Sequence, residues 1–538
     1  MIGFELSPGW GQRIQSEIIP LAAFFPPATG QSVAVSERRN GGINLWTELA
    51  PNYAACMRLD NDNAATRLSW RETLVMELRN IYPVGDLTLT GNWVQLQTSG
   101  VGFNGSYTGN RAVSTSSTSP TASVTVDRSA PYDLWIYFTA RTSGAFARVD
   151  IDGSQALVDA IDDPAGLGFK AFSTYSAADL QRRQAVKVAT GLTGSHTVTI
   201  SNGGGATPGG TTLMLEAVGI SGSLEDPRIL PPAWQPNTDY AMGDEVQYQG
   251  IYYAARATGT SGTEAPTHTG GIDTDGALDW RADNRPTYPQ FVCIDYASER
   301  EYAVSFTESG PSIEVGGQTH GNEDLQSRTI LVDDSPWAPA PAGAGLSVGA
   351  NITITEQTVW QAGAAGDAAN CTLVRRITPG AVQHEVNVVG IGPTLAFDWC
   401  YLGMAPFVPW DGESRSLVAD SLQPAQGATV TLADYESVSN ASIDFDDVSR
   451  IGITATVGDA SLRYGHEAGL LAGPNNRVNQ LDTFLRPNLN ATAAGSGLDW
   501  LAKAYIVGSA DGGLTLTSGD ALRFFSRHVL TIDLPASG

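Results

Sequence analysis

Two segments of the sequence place acidic and imidazole side chains close together. The segment GGQTHGNED contains His320, Glu323 and Asp324, residue types that bind a metal ion or act as general base and general acid. No HExxH or other metal spacing is present, and GHEAG at His466 lacks a second histidine four residues later. The pattern therefore favours a polar turn, and we predict no metal site.

A second constellation surrounds Asp398, which lies beside Trp399. His384 and Glu385 lie on a strand that we expect to neighbour it, and paired carboxylates of this kind can cleave glycosidic bonds. The same residues serve equally well as strand-edge charges and cross-strand partners. Because no GxSxG elbow or Gly-rich phosphate loop is present, we predict no catalytic residues. A glycan hydrolase in the C-terminal region remains the alternative.

Other ligand patterns are incomplete. The acidic runs DNDN at Asp60 and DFDD at Asp444 lack the Gly and the distal Glu of an EF-hand loop. The four cysteines are widely spaced and match no zinc or redox pattern, so buried free thiols are expected. We predict no cofactor.

Charge and hydropathy exclude two classes of partner. The formal net charge is −25 at pH 7, which repels phosphate backbones, so we predict no nucleic-acid binding. No run approaches the roughly 18 consecutive apolar residues of a membrane span, so we predict no membrane insertion. The N-terminus shows no positive cluster ahead of an apolar segment, and export by a signal peptide is not expected.

The composition predicts an all-β chain, and the spacing of its strands predicts several β-sandwich domains in series, with a small aromatic-rich β module between them. Gly is abundant at 59 residues, and short runs rich in Val, Thr and Ile are bounded by turn residues. Asp152-Gly153, after an alternating run, predicts a hairpin turn. Ser69 and Glu72 have the spacing of a helix capping box before Leu74 to Leu78, although a strand there is nearly as well supported.

Proline-rich connectors and changes of pattern predict four regions: an N-terminal region over 1–90, a β-rich domain over 91–223, a small aromatic module over 224–284, and a C-terminal β-sandwich region over 285–538, as one large or two small domains.

The region 91–223 contains four segments typical of one class of β domain, namely GNW at 91–93, VDIDG at 149–153, GLTGSHTVTI at 191–200 and LEAVGI at 215–220. In these segments the region resembles the jelly-roll, carbohydrate-binding-module-like domains found beside glycan-active proteins and in phage tail proteins. The resemblance implies a jelly-roll β-sandwich fold.

The segment between Trp234 and Trp280 contains two tryptophans and four tyrosines. Its recurring positions are Trp234, Tyr240, Gly243, Asp244, Val246, Tyr248, Gly250, Tyr252, Tyr253 and Trp280, and it includes the segments TSGTEAP and TDGALDW. In these positions it resembles small chitin-binding-like modules, especially those embedded in tailed-phage tail and head-fibre proteins.

The rings of this module have two interpretations. An exposed ring stacks on the apolar face of a pyranose, and Tyr252 and Trp280 are the first candidates for that contact. Alternatively, a unit of this size needs large rings simply to build a core. The predicted glycan-binding residues are Trp234, Tyr240, Tyr248, Tyr252, Tyr253 and Trp280.

Together, the resemblances imply a tail-fibre or tail-tip component of a tailed phage that binds a glycan on the host surface. They also imply an N-terminal virion anchor, assembly in the host cytoplasm, contacts with other tail proteins and a homo-oligomer, most simply a trimer. A glycan-degrading tail enzyme and a purely structural or decorating virion protein are the alternatives.

Overall fold

The computed structural model describes residues 32–37, 42–60, 67–97, 110–114, 120–155, 168–177, 181–204, 210–224, 234–240, 245–248, 251–268, 272–283, 290–296, 302–307, 312–316, 322–338, 346–362, 366–406, 421–424, 430–431, 443–446, 450–457, 460–472, 482–485, 503–509 and 515–533. Two compact units divide the chain. The first comprises Met1–Met76, Gln290–Ala338 and Ser347–Gly538, and the second comprises Glu77–Pro289 and Pro339–Leu346.

Within these ranges the regular elements are β-strands, apart from the 3-10 helix Val84–Asp86. The prediction of an all-β fold with several sheets is therefore confirmed. None of the described residues forms a helix long and apolar enough to cross a membrane.

The N-terminal part of the first unit contributes four strands. They are β1 Val33–Glu37, β2 Ile43–Ala50, β3 Tyr53–Asp60 and β4 Ser69–Glu77.

The second unit contains sixteen strands in the described part of the chain. They are β5 Arg79–Pro83, β6 Thr88–Thr90, β7 Val94–Gln97, β8 Asn110–Ser114, β9 Thr121–Ala140, β10 Phe146–Ile151, β11 Ser154–Gln155, β12 Phe172–Ser173, β13 Gln181–Gly204, β14 Leu213–Ser221, β15 Asp239–Tyr240, β16 Glu245–Tyr248, β17 Ile251–Ala255, β18 Gly259–Thr260, β19 Ile272–Asp275 and β20 Leu278–Asp283.

Strands β5 to β14 form one sheet with one large hydrophobic core and two smaller hydrophobic clusters. The main path is β11-β10-β13-β9-β14-β8-β7, and alternating residues of β9, including Leu134, Ile136 and Phe138, fill the core. Asp152 and Gly153 have φ values of 51° and 77°, as the predicted turn between β10 and β11 requires. Strands β16, β17, β20 and β19 form a separate small sheet, with β15 paired to β18.

The remaining strands belong to the first unit. They are β21 Gln290–Tyr296, β22 Ala303–Thr307, β23 Ile313–Gly316, β24 Glu323–Val332, β25 Ser335–Pro336, β26 Ser347–Gly349, β27 Ile352–Gln361, β28 Asp367–Thr378, β29 Ala381–Gly390, β30 Leu395–Pro406, β31 Ser421–Pro424, β32 Val430–Thr431, β33 Ile443–Asp446, β34 Arg450–Val457, β35 Ala460–Ala472, β36 Asp482–Leu485, β37 Lys503–Ser509, β38 Thr515–Leu516 and β39 Ala521–Asp533.

The first unit has three larger sheets. A six-stranded sheet has the order β21-β4-β3-β2-β1-β26, and a ten-stranded sheet has the order β25-β24-β27-β28-β29-β39-β35-β34-β31-β32. A five-stranded sheet has the order β23-β22-β30-β37, with β38 also paired to β30. A two-stranded pair, β33-β36, is separate from them.

The division of the chain differs from the predicted one at the N-terminus. Strands β1 and β4 pair with β26 and β21 of the C-terminal region, so the chain up to Met76 belongs to that unit. The physical reason is burial, because Val33 and Ile43 share a hydrophobic cluster with Ile352 and its neighbours. Strands β5 and β6, also before residue 90, pair instead with β14 and β9 of the second unit.

The residues after Ser69 form a strand, and the capping-box interpretation is wrong. Strand β4 lies between β3 and β21, and its Thr73 and Val75 are buried at alternate positions. Tertiary pairing decides the outcome here, since short apolar runs do not separate helix from strand by themselves.

The buried face of the ten-stranded sheet changes character along its strands. On β27, Ile352 and Ile354 join the hydrophobic cluster of the six-stranded sheet, whereas Trp360 joins the cluster of the five-stranded sheet. Between them lie Glu356 and Thr358, which are also buried. A belt of buried polar residues therefore separates two hydrophobic cores beneath one sheet.

Two carboxylates organise this belt. Glu356 forms ion pairs with Arg375 and with Arg328 Nε at 2.8 Å, and it accepts the Leu68 N–H at 3.0 Å. Glu323 pairs with Arg67 Nε at 2.8 Å, and both side chains have 0% of their surface exposed.

Hydrogen bonds complete the environment of Glu323. It accepts the Tyr302 hydroxyl at 2.5 Å and the Thr358 hydroxyl at 2.7 Å. Burial, reinforced by nearby Cys371 and Glu323, raises the pKa of Tyr302 well above its ordinary value, which keeps this hydroxyl a donor. Burial alone would raise the pKa of Glu356, but Arg375, Arg328 and the Leu68 N–H hold it below its ordinary value of 4.5.

The insertion of the second unit yields the first prediction. Met76 of β4 lies opposite Gln290 of β21, so residues 77–289 leave and re-enter the sheet between paired strands. Replacing 78–288 with a four-residue turn rich in Asn and Gly should leave the first unit folded, since such turns close antiparallel pairs.

The fragment 285–538 lacks β1–β4 and should be insoluble or melt without a cooperative transition in circular dichroism. A cooperatively folded 285–538 fragment would contradict this arrangement.

The buried ion pairs yield the second prediction. Glu356→Gln leaves Arg375 buried beside a neutral amide, so we expect a loss of about 3–5 kcal/mol in the free energy of unfolding. Hydrogen exchange of peptides from β27 and β28 under urea measures it. The matched control is Glu385→Gln, since Glu385 pairs with a 43% exposed Arg376 on the opposite face of the sheet and should cost about 0–1 kcal/mol.

The same pair predicts a dependence on pH. Because the pKa of folded Glu356 is lowered, its contribution to stability is present above pH 4.5 and is lost as the pH falls through the lower folded value. The wild-type protein should therefore lose more stability between pH 5 and pH 3 than Glu356→Gln. Parallel losses in the two proteins over that range would refute the assignment.

Candidate functional site

The predicted aromatic residues of the small module form its hydrophobic core. Trp234, Tyr240, Tyr253 and Trp280 are at most 9% exposed and pack with Val246, Ala255 and Leu278. Tyr248 is half-buried against the same cluster. The side chain of Tyr252, like Gly243, Asp244 and Gly250, lies outside the described residues.

Asp275 connects the two tryptophans. Its Oδ2 accepts both the Trp234 Nε1–H and the Trp280 Nε1–H at 3.2 Å, and its Oδ1 accepts the Gly262 N–H at 2.8 Å. Gly276 follows with a φ of 63°, which an αL turn requires. The TDG segment therefore supplies both the turn and the acceptor, a role that sequence reasoning missed although the Asp-Gly pair signals the turn.

The hydroxyl groups of Tyr240 and Tyr253 also form hydrogen bonds within the module. Tyr240 accepts the Gln235 N–H at 2.8 Å, and Tyr253 donates to the His268 carbonyl at 3.0 Å. Burial, with a smaller effect from Tyr248, raises the pKa of Tyr253, consistent with a donor hydroxyl. Trp234, Tyr240, Tyr253 and Trp280 therefore build the core of the module, as the second interpretation of these rings expects. Trp280 in particular has no exposed ring face on which a sugar could stack.

A second aromatic group lies on the five-stranded sheet. On β30 the buried Phe397 and Cys400 face the hydrophobic core, but Asp398 and Trp399 between them are both half-buried. The pairing with β22 shifts register at this point, with Ser305 opposite Trp399 and the next residue opposite Phe397. This β-bulge leaves Asp398 without an opposite residue and puts it beside Trp399 on the face turned away from the core.

Trp399 stacks on Tyr401 two residues further along the strand. Their ring centroids are 4.5 Å apart with an interplanar angle of 26°, an offset-stacked geometry that aromatic pairs prefer. Both residues are half-buried, so part of the pair is exposed. In this geometry each ring covers part of one face of the other, on the outer face of the sheet.

Asp398 lies beside the rings in a cluster of hydroxyl groups. It accepts the Ser312 hydroxyl at 2.8 Å, the Thr307 hydroxyl at 3.1 Å and the Ser305 hydroxyl at 3.3 Å. We call Ser305, Thr307, Ser312, Asp398, Trp399 and Tyr401 the Trp399 site. Aromatic faces beside a fixed carboxylate and several hydroxyls provide stacking and hydrogen bonding to a polyol without a metal ion.

The expected neighbourhood of Asp398 is wrong in one respect. His384 and Glu385 lie on β29, which pairs with β28 and β39 of the ten-stranded sheet, whereas β30 pairs with β22, β37 and β38. Strand patterns predict which residues lie on strands, but a single sequence does not specify which strands pair.

The other candidate catalytic or metal-binding residues do not meet at one site. Glu323 is fully buried in its ion pair, and Asp324 is exposed on the other side of the same strand. His466 is buried, with its ring stacked on His528 at 4.4 Å. His320 and the side chains of Asp60 and Asp444 lie outside the described residues. Among the described residues, no group of three or more His, Cys, Asp or Glu could hold a metal ion.

The described cysteines are buried and form no disulfide bond, as expected from their spacing. They are Cys56, Cys371 and Cys400. Burial raises the pKa of Cys371 to about 12, with a further effect of Glu323, and burial raises that of Cys400 to about 12. At neutral pH these two thiols are protonated and therefore poor nucleophiles. The side chain of Cys293 lies outside the described residues.

No protein-family model matches the chain, and no curated protein matches it. Similar solved structures contain carbohydrate-binding modules. The CBM36-1 domain of a multidomain xylanase from the hindgut metagenome of Trinervitermes trinervoides is 14% identical, with a TM-score of 0.18, over 27% of this chain and 98% of that chain. A family 35 carbohydrate binding module from Clostridium thermocellum is 14% identical, with a TM-score of 0.19, over the same shares.

A third structure is the GH26-CBM35 β-(1,4)-mannanase of Podospora anserina, which is 16% identical with a TM-score of 0.19. The match covers 30% of this chain and 30% of the mannanase. Similarity of this size does not establish a ligand for the chain.

The central role of Asp275 yields the third prediction. Asp275→Asn keeps one acceptor oxygen and puts an NH2 donor in place of the other, so either the two indole N–H groups or the Gly262 N–H lose their acceptor, and we expect a loss of about 2–3 kcal/mol in the local stability of the module. Hydrogen exchange of peptides from β17 and β20 measures it. The control is Asp279→Asn on the same hairpin, because exposed Asp279 accepts only the Thr274 hydroxyl among the described hydrogen bonds. Equal effects of the two substitutions would show that Asp275 has no special role.

Proposed function

We propose that this chain is a component of a phage tail fibre or tail tip that binds a glycan on the host surface through the Trp399 site. The observation that carries the proposal is the Trp399–Tyr401 ring pair, partly exposed on the outer face of a sheet whose other face already fills a core. Aromatic residues in such a position offer their faces to the C–H groups of a sugar ring.

The hydroxyl cluster supports a polyol ligand. Asp398 is an acceptor fixed by three hydroxyls, and Ser312, the exposed member of the cluster, is within reach of an incoming sugar hydroxyl. Ser305 is buried and keeps its bond to the carboxylate, whereas the exposed Ser312 hydroxyl can turn to water or to the ligand when a sugar hydroxyl replaces it at Asp398. Contacts of this kind need no basic residue and suit an acidic chain.

The placement in a phage particle rests on the sequence. The aromatic module resembles modules embedded in tailed-phage fibre proteins, and its buried rings suit a compact spacer between larger β units. Fibres commonly form closed cyclic oligomers, and several copies of a weak glycan site gain avidity when they act together. A homotrimer bound to other tail proteins is the assembly that we propose.

The fourth prediction tests the ring pair. Trp399→Ala and Tyr401→Ala should each weaken binding of the full chain to a glycan array by about tenfold or more, since a stacked ring contributes about 1–3 kcal/mol in related contacts. Surface plasmon resonance against the best array ligand measures the loss. The control is Phe525→Ala, another half-buried ring on an outward sheet face, which should leave binding unchanged.

Each outcome of this experiment separates one function from another. If the wild-type chain binds no glycan on the array, or if particles lacking it adsorb to host cells at the normal rate, the receptor-binding proposal is wrong. A structural role in the particle would then be favoured. Release of new reducing ends from a bound polysaccharide would instead indicate a glycan-degrading enzyme.

A further inference from the structure

Three buried histidines lie on three neighbouring strands of the ten-stranded sheet. They are His384 on β29, His528 on β39 and His466 on β35, and each is at most 2% exposed. His528 lies directly opposite His466, and their rings stack with centroids 4.4 Å apart and an interplanar angle of 10°. The ring of His384 is 5.4 Å from that of His528. We call these three residues the histidine cluster.

The histidine cluster lies where three sheets meet. Trp70 of β4, in the six-stranded sheet, contacts the rings of His528 and His384 at centroid distances of 5.1 and 5.9 Å. Gly403 of β30, in the five-stranded sheet, packs so closely that a Cβ there would lie 2.6 Å from His466 Nε2. Because interiors are close-packed, a change in the charge or hydration of the cluster acts on the packing of both sheets.

The hydrogen bonds within the cluster fit neutral rings. The Tyr464 hydroxyl is 2.5 Å from His528 Nδ1, and the Ser526 hydroxyl is 3.5 Å from both His528 Nε2 and His384 Nδ1. When Tyr464 donates to Nδ1 of His528, Nε2–H of that ring donates to Ser526, and Ser526 donates to His384. Every group in this chain has one role while both imidazoles are neutral.

Charged groups lie near the cluster on both faces of the ten-stranded sheet. On the buried face, Arg375 of β28 is directly opposite His384, and it pairs with Glu356, which also receives Arg328. The cross-strand neighbour of His384 is therefore itself a cation, which disfavours a second positive charge beside it. Trp70 and Gly403, which face the cluster from the other two sheets, are uncharged, and the half-buried side chains that flank the histidines on the outer face are Glu385, Glu467 and Arg527.

The folded cluster cannot hold three protons. Burial disfavours a charged imidazole, and two charges at stacking distance repel each other strongly where water is excluded. This repulsion arises between the rings themselves and does not depend on their other contacts. In the unfolded chain each imidazole titrates separately near pH 6.5, at about its ordinary value. Below that pH the unfolded chain binds more protons than the folded unit, so stability falls as the pH falls.

We infer that the histidine cluster is an acid-sensitive junction, which loosens the packing of the three sheets of the first unit as the pH falls below about 6.5. The inference is independent of the proposed glycan binding, because it concerns the interior where the sheets meet. It also acts in a different range from Glu356, whose contribution to stability is lost only below pH 4.5.

The fifth prediction concerns the unfolding of the full-length chain between pH 6.5 and pH 5.5. Each proton bound only by the unfolded state raises the equilibrium constant of unfolding about fivefold over this range, and two protons raise it about thirtyfold. Hydrogen exchange of peptides from β29, β35 and β39 under urea, corrected for the intrinsic effect of pH on exchange, should show the thirtyfold rise. Peptides from β13 of the second unit are the internal control, because His196 there is partly exposed and gains an ion pair with Asp152 when protonated.

Two substitutions assign the rise to the cluster. His528→Gln removes the central ring and its proton, so the rise should fall to about fivefold or less. His466→Gln removes the stacked partner and should act in the same direction. The control is His196→Gln, which should leave the rise in the first unit unchanged. Exchange at pH 8 checks that the variants retain the fold.

A second measurement needs no variant. In the wild-type chain, ring Cε1–H signals of the six histidines follow their protonation by nuclear magnetic resonance, and at least two imidazoles should stay neutral down to pH 5.5 while the protein is folded. Protonation of all six in the folded protein by pH 5.5 would overturn the inference. A rise of less than about fivefold in the wild-type chain, or an undiminished rise in both cluster variants, would overturn it equally.

Discussion

The structure of the first unit depends on the pairing of buried charges between segments far apart in the sequence. Glu356 receives Arg375, Arg328 and the N–H of Leu68, and Arg375 donates in turn to the Leu68 carbonyl at 2.6 Å. These ions lie between two hydrophobic cores, where an unpaired charge is very costly. A shift of the N-terminal segment by one residue would break several of these contacts together, so the network fixes the position of that segment against the ten-stranded sheet.

The same network reaches the Trp399 site through a short chain of contacts. Arg67 pairs with Glu323, Glu323 accepts the hydroxyl of Tyr302, and Tyr302 immediately precedes β22. Ser305 of β22 then donates to Asp398 on β30. Close packing supports β30 from below, because a Cβ on Gly403 would lie 2.6 Å from His466 Nε2. The strand that carries the two rings is therefore fixed in position by the packed core beneath it and by the buried ion pair and hydrogen bonds that connect to it.

Local sequence patterns predicted the fold class and several turns correctly. They did not predict which distant strands pair with one another. The Asp152-Gly153 turn follows from backbone preferences within two residues, and the all-β class follows from short runs bounded by turns. The union of β1–β4 with strands more than two hundred residues later has no local signature. The polar residues around Glu323 suggested chemistry in the sequence, but their partner Arg67 lies 256 residues away.

The two aromatic groups show why a count of rings does not identify a binding site. In the small module the rings are needed for the core, since Asp275 holds both indole N–H groups and few aliphatic side chains share the cluster. In the five-stranded sheet, Phe397, Leu402 and their neighbours fill the core without help from Trp399 or Tyr401. The bulge at Asp398, visible only once β22 and β30 are paired, turns the ring pair outward. Trp399 and Tyr401 are half-buried on the opposite face, so the same residue types fill the core in the small module and lie outside the main core in the five-stranded sheet.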